Sequence, residues 1–199
     1  MSVASRDLGI GGLESGFAGL RMTAEEYLAL GETRDRYQLI DGVVVMSPSP
    51  SPLHQEIKIA VAFQVRGTSL PDGVPRVFLD IDVLFDDSLV YCPDVSVYRR
   101  SRLPRTPSRL TIAPDLIVEV LSPSNRGLDL VTKRRDFDRF GVGEYWIIDP
   151  DTKSVRVLRR RDGAFVEAPE SESSADQIVC AAIPGLTLDM RAIRAIPGE

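Results

Sequence analysis

Ala113-Pro114-Asp115-Leu116-Ile117-Val118-Glu119-Val120-Leu121-Ser122-Pro123-Ser124 is the stretch on which the fold turns. It opens on a turn signal, runs through a short apolar segment rich in β-branched residues, and closes in Ser-Pro-Ser. That length and content predict a strand covered on both faces, the kind a mixed or parallel sheet places at its centre. Glu119 lies inside it. A lone carboxylate is costly to bury unless it is paired, hydrogen-bonded or bound to a cation. Its plain reading is a Glu at the end of the sheet or paired to one of the many Arg; the alternative is a functional carboxylate.

Working outward, Arg76–Phe85 and Leu89–Tyr98 read as strands, the second carrying Pro93-Asp94. The connector Arg99–Arg109 holds five Arg (Arg99, Arg100, Arg102, Arg105 and Arg109) and no acid. Downstream, Leu128–Phe140 reads as a helix stopped by Gly141. Glu144–Asp149 is a second buried strand, and strand, helix and strand together predict a parallel crossover. Upstream, Thr23-Ala24-Glu25-Glu26 is a capping box opening a short helix. Tyr37–Ile40 and Val43–Met46 flank Asp41-Gly42, a strong hairpin signal. Leu53–Arg66 is a helix with Ile57, Val61 and Val65 on its apolar face. Val155–Arg160 and Ala164–Val166 form a hairpin, Ala168–Asp176 an acidic loop, and Ile178–Met190 a last extended segment. The order predicts an α/β (α+β) domain with a mixed central β-sheet flanked by helices. It spans residues 22–190, with a flexible N-terminal tail (1–21) and a C-terminal tail (191–199).

Composition narrows the class. The chain has 199 residues, 43% hydrophobic and 27% charged, which is ordinary for one globular domain. A net charge of −5 argues against a general nucleic-acid coater, without excluding a local basic groove. One His and two distant Cys (Cys92, Cys180) exclude a zinc-finger pattern. Both Cys read as reduced, which suits a cytoplasmic protein. No signal-peptide layout and no membrane-length apolar run are present in the sequence.

The search for a partner of Glu119 then follows geometry. Asp115 shares its strand face but lies about 13 Å away, four residues along the strand, too far to share an ion. Asp94 on a neighbouring strand is within reach. On the helix 128–140 an α-helical step places Lys133 near the centre of the stripe Leu130, Phe137 and Phe140, so that its amine either snorkels to water or aims at the same spot as Asp94 and Glu119. Two carboxylates and an ammonium suit metal-assisted phosphodiester hydrolysis. The Arg-rich connector suits phosphate contacts, or is a solvated loop.

With these residues in view, the chain resembles the PD-(D/E)XK nuclease superfamily, and more closely the Uma-two family of bacterial restriction-endonuclease-like proteins, formerly a domain of unknown function. The resemblance rests on Tyr37–Gly42, Ser47-Pro48 with His54, Pro93-Asp94, the whole run Pro114–Ser124, Lys133 and Glu144–Asp149, in the family's order from about Met22 to Leu188. It implies a restriction-endonuclease-like fold, a metal-dependent endonuclease using Mg²⁺ or Mn²⁺, and a nucleic-acid substrate, with DNA the first choice. It implies catalytic roles for Asp94, Glu119 and Lys133, with Lys133 replacing the usual E-x-K lysine, whose position is here Leu121. It implies metal ligation by Asp94, Glu119, Val120 and Gln38 and a substrate-facing place for His54; the candidate nucleic-acid contacts beside it are Arg99, Arg100, Arg102, Arg105 and Arg126, read from the basic connector and its surroundings. One position departs. The family's hairpin reads Tyr-Glu-Leu, and here Gln38 stands for the Glu; its amide oxygen can ligate a hard cation but brings no charge. A catalytically weakened or inactive nuclease-fold protein that binds nucleic acid or a partner is therefore the alternative. Two strands need two cuts, which suits a homodimer.

Overall fold

The computed structural model describes residues 16–31, 33–123, 126–169 and 176–198; most of the expected N-terminal tail, Ser124 and most of the acidic loop lie outside them. Thr23 caps α1 (Ala24–Ala29) with the reciprocal capping box in place. β1 (Arg36–Ile40) and β2 (Val43–Ser47) form the expected hairpin, and both turn residues have positive φ (Asp41 49°, Gly42 73°) as a tight two-residue turn requires. α2 (Pro52–Gly67) begins on Ser51, whose Oγ accepts the His54 N–H, with Pro52 in the first turn.

Two predicted strands each divide. Arg76–Phe85 becomes β3 (Arg76–Leu79) and β4 (Val83–Asp86), separated by Asp80 at φ 53°. Leu89–Tyr98 becomes β5 (Leu89–Tyr91) and β6 (Val95–Tyr98), separated at Pro93, which has no N–H to give a ladder. The halves go to different sheets. β2-β1-β5-β4 is a four-stranded sheet, whereas β3 and β6 join β7 (Leu116–Val120), β8 (Glu144–Asp149), β9 (Ser154–Arg161) and β10 (Ala164–Glu167) in a six-stranded sheet ordered β10-β9-β8-β7-β6-β3. Asp94 therefore sits just before β6 rather than within a strand.

β7 and β8 run parallel and the other pairs of this sheet antiparallel, giving the mixed central sheet. Their crossover is helical but not uniform: a π-helical segment, Leu128–Lys133, leads into α3 (Arg134–Arg139). One face of the sheet (Val118, Val120, Trp146, Ile148) packs on Ile57, Val61 and Val65 of α2 and on the C-terminal segment. The other (Ile117, Tyr145, Ile147) packs on Phe137 and Val142. The C-terminal segment holds β11 (Gln177–Val179), β12 (Thr187–Asp189) and α4 (Met190–Arg194), so the expected C-terminal tail begins with a helix. At the other end, residues 16–21, read as tail, lie against the hairpin: Val44 N–H donates to Leu20, Gly19 N–H donates to Val44, and Phe17 meets Tyr37 edge to face. Among the described residues no helix is long and apolar enough to cross a membrane.

Candidate active site

The antiparallel register Val95↔Val118 places Asp94 beside the end of β7. There the Val120 N–H donates to Asp94 Oδ2 at 2.8 Å. Alternation along β7 sends Glu119 to the face opposite Val118 and Val120, beneath the helical crossover. Lys133 meets it there: Nζ donates to Glu119 Oε1 at 2.7 Å, and both side chains are almost fully buried. The amine is not lost to solvent. It is also 2.9 Å from Asp129 Oδ1, though off hydrogen-bonding geometry, and 5.9 Å from the centre of the Tyr91 ring. From the other layer, at the start of α2, His54 Nε2 comes to 3.1 Å from Asp94 Oδ2. Asp94 is thus where the two helical layers meet at the rim of the sheet.

These groups line a small cleft with Gln38, Ser47, Cys92, Val120 and Arg36 from the facing strands. Its free space, about 40 Å³, holds an ion or a few waters but no nucleobase. Gln38 is buried and held by two hydrogen bonds. Its Nε2 donates to Ser47 Oγ at 2.7 Å, and its Oε1 accepts the Cys92 N–H at 3.2 Å, which fixes the direction of the amide.

Charge is unbalanced in this cleft. Asp94, Glu119 and Asp129 face one certain cation. Burial pushes Glu119 well above the usual carboxylate range although Lys133 pulls the other way. Burial raises Asp129 likewise. Burial also acts on Asp94, but His54, Lys133 and the Val120 N–H together hold it below its ordinary value. Burial disfavours charge on Lys133 as well, yet Glu119, Asp129 and Asp94 outweigh it and raise its pKa, which favours the ammonium.

A hard divalent cation fits this donor set. Its Asp, Glu and Gln side chains offer oxygens, beside the His54 ring and the Cys92 thiol. Among the described residues no hydrogen bond reaches Asp94 Oδ1 or Glu119 Oε2. Among those residues no three His, Cys, Asp or Glu side chains gather as a ligand set. Mg²⁺ asks for less, since it binds through one or two carboxylates and keeps several waters.

Other expected residues fall elsewhere. The Arg-rich connector leaves the end of β6, which is the beginning of β7, so it lies at the opposite end of the sheet, about 13 Å from Glu119. Arg99 and Arg102 are tied there to Asp115, at 2.9 and 3.1 Å; Arg100 and Arg105 belong to the same far end. Arg126 does lie on the Glu119 rim, paired at 2.7 Å with Asp149 at the end of β8. His54, expected to face nucleic acid, is buried against Asp94. Sequence reading missed Asp129 and the His54–Asp94 contact. The i,i+4 spacing of Asp129 and Lys133, and the place of His54 in line with Ile57, Val61 and Val65, were the available signals.

Comparison with known proteins bears on the family and the fold. The model of the Uma2 family, described as "Putative restriction endonuclease", matches residues 24–191. Among solved structures, the chain is similar to a "putative nuclease belonging to DUF820" from Anabaena variabilis, with 27% sequence identity and a TM-score of 0.72, over 86% of this chain and 97% of that one. No curated protein matches the chain.

Proposed function

The chain belongs to the Uma2 family of restriction-endonuclease-like proteins, and on that premise we propose that it is a divalent-cation-dependent endonuclease that hydrolyses phosphodiester bonds of nucleic acid, with DNA as substrate. The observation that carries this reading is the buried Lys133–Glu119 contact of 2.7 Å beside Asp94 on one sheet rim. Asp94 and Glu119 are the carboxylates that would hold Mg²⁺ or Mn²⁺. The Val120 carbonyl and the Gln38 amide oxygen, which has a second lone pair, are the neutral oxygens at hand. Bound there, the ion supplies acidification of a water and neutralisation of charge on the phosphate.

Glu119, Asp129 and Asp94 favour the charged form of Lys133 against burial, which suits it to donate hydrogen bonds. It can orient the attacking water or meet a phosphate oxygen, while Glu119 and Asp129 hold its direction. Arg126, on the same rim, is the proposed phosphate contact. Arg99 and Arg102 are committed to Asp115, and the Arg100–Arg105 end would meet only a longer substrate.

The test is nicking of supercoiled plasmid in Mn²⁺ or Mg²⁺ by wild type and by Glu119→Gln, which keeps the shape of the side chain and leaves Asp129 to Lys133. Wild type should nick, and the variant should lose more than about 100-fold, beyond what outer-shell changes usually cost. Equal rates in the two proteins would overturn the assignment.

A nuclease-fold protein that binds without cutting is the second reading, favoured by Gln38, which is neutral and held by two hydrogen bonds. Gln38→Glu keeps both hydrogen bonds, because the Ser47 hydroxyl can turn to donate. It adds one negative charge to the cleft. Mn²⁺ affinity measured by calorimetry should rise about tenfold or more, together with nicking. Tighter Mn²⁺ binding without any nicking would favour the binding module.

A further inference from the structure

α2 exposes Pro52, Glu56, Ile59, Phe63, Arg66 and Gly67. Their spacing alternates four and three residues up to Arg66. At about 100° per residue they occupy one stripe about 100° wide, opposite the Ile57, Val61 and Val65 face that packs on the sheet. At the centre of that stripe stand two large apolar side chains, Ile59 and Phe63, where a solvated face carries polar ones. Phe63 is 78% exposed and Ile59 57%. The charged residues are arranged about the apolar pair. Ile59 and Phe63 share a midpoint with Glu56 and Arg66, namely Val61. Glu56 and Arg66 lie ten residues apart, about 15 Å along one helix, too far to pair with each other.

We propose that α2 is the contact surface of a homodimer, in which a second copy of this helix packs antiparallel about a two-fold axis at Val61. In that register Ile59 of each copy meets Phe63 of the other, and Glu56 of each meets Arg66 of the other. A two-fold interface must be complementary to itself, and this stripe is so in both shape and charge. One helix face buries well under the roughly 800 Å² per partner of a standard stable interface, so the dimer dissociates readily on dilution. The two copies of His54, each beside its own Asp94, come to lie about 20 Å apart along the helix axes. If the proposed nuclease reading holds, this sets two cleavage centres on one assembly; the dimer itself does not depend on that reading.

Sedimentation equilibrium without metal or nucleic acid, from micromolar to near-millimolar protein, is the experiment. Wild type should show a monomer–dimer equilibrium. Phe63→Glu should raise the dissociation constant about thirtyfold or more, the effect of losing an aromatic anchor. Its side chain is exposed, so the fold should be unaffected, with an unchanged circular dichroism spectrum. Glu56→Arg and Arg66→Glu should each weaken the dimer roughly fivefold to tenfold, since symmetry makes every change twice. The double reversal Glu56→Arg/Arg66→Glu should restore it, and the restoration can come only from across the two-fold axis. A wild type that stays monomeric throughout, a dimer indifferent to Phe63→Glu, or a double reversal no tighter than the single ones would each overturn the proposal.

Discussion

The two ends of β7 begin from the same materials and finish differently. Each has a Pro-Asp dipeptide beside it, a buried acid and a basic neighbour. At the start of the strand, Asp115 accepts the Arg99 N–H and Arg99 Nε, both at 2.9 Å, and lies 3.1 Å from Arg102. Two guanidiniums serve one carboxylate, and both are about two-fifths exposed. At the finish of the strand the ratio is reversed: Glu119 and Asp129 share Lys133, all three are buried, and Asp94 stands by with His54. At the first end the acid is answered twice over, as suits a corner of a fold. At the second, three buried acids stand against Lys133 and His54, and burial works against the charge of Glu119 and Asp129. The two ends differ in how many positive charges answer the acid, and how wet they are.

The largest consequence concerns Lys133. Lys133→Met strips the ammonium from three buried acids, and breaking a buried pair in this way costs about 3–5 kcal/mol near neutral pH. Urea unfolding measures it. Because Glu119 and Asp129 can then be relieved only by binding protons, the deficit should shrink as pH falls toward the carboxylate range, and Mn²⁺ should recover part of it. A loss under about 1 kcal/mol would place the amine in water and dissolve the contrast between the two ends.

A third acid tests the premise that a raised carboxylate marks unanswered charge. Burial lifts Asp82 to about 6, and the Cys92 thiol and Arg36 offset this only in part, Arg36 being already bound to Asp80. The folded protein holds this proton more tightly than the unfolded chain, whose value is near 3.8. Stability contributed by the group is therefore full below about pH 4 and is lost as pH rises through about 6. Asp82→Asn, which has no charge to bury, should match wild type at pH 4 and exceed it by at most about 3 kcal/mol at pH 7. Equal stabilities at pH 7 would mean that Asp82 is answered by a cation after all.

Much of this was legible in the sequence, and the reasons for the rest are physical. Local signals carried through: the Thr23 capping box, the Asp41-Gly42 turn, the apolar run of β7 and the crossover to β8 depend on a few neighbouring residues. Arg76–Phe85 and Leu89–Tyr98 were read as single strands because apolar alternation is the same whether a chain stays in one sheet or passes to another; only Asp80 and Pro93 mark the passage. Glu119 announced itself as a charge in an apolar strand, and helical stepping put Lys133 over the sheet even though its turn is π-helical. His54 and Asp94 come from different layers, 40 residues apart in sequence, and meet only once the sheet is assembled. The Arg-rich connector joins the two strands that carry Asp94 and Glu119 in the sequence reading, which leaves it free to lie near them. In an antiparallel pair, however, a connector joins the end of one strand to the start of the next, and the acids stand at the other rim.

That separation supplies the smallest effect and the sharpest contrast. Asp115→Asn removes the charge that Arg99 and Arg102 share. Both guanidiniums are partly exposed and can turn to water, so neither is left stranded as a buried carboxylate is left by Lys133→Met. The cost in urea unfolding should be about 1–2 kcal/mol, within the range for charge-assisted hydrogen bonds at a partly solvated site. Mn²⁺ affinity and nicking rate should stay as in wild type, because about 13 Å of β-strand separates the two ends. A variant that kept its stability but lost metal binding would show that the Arg-rich end and the Glu119 end act as one site, and the division drawn between them would have to be abandoned.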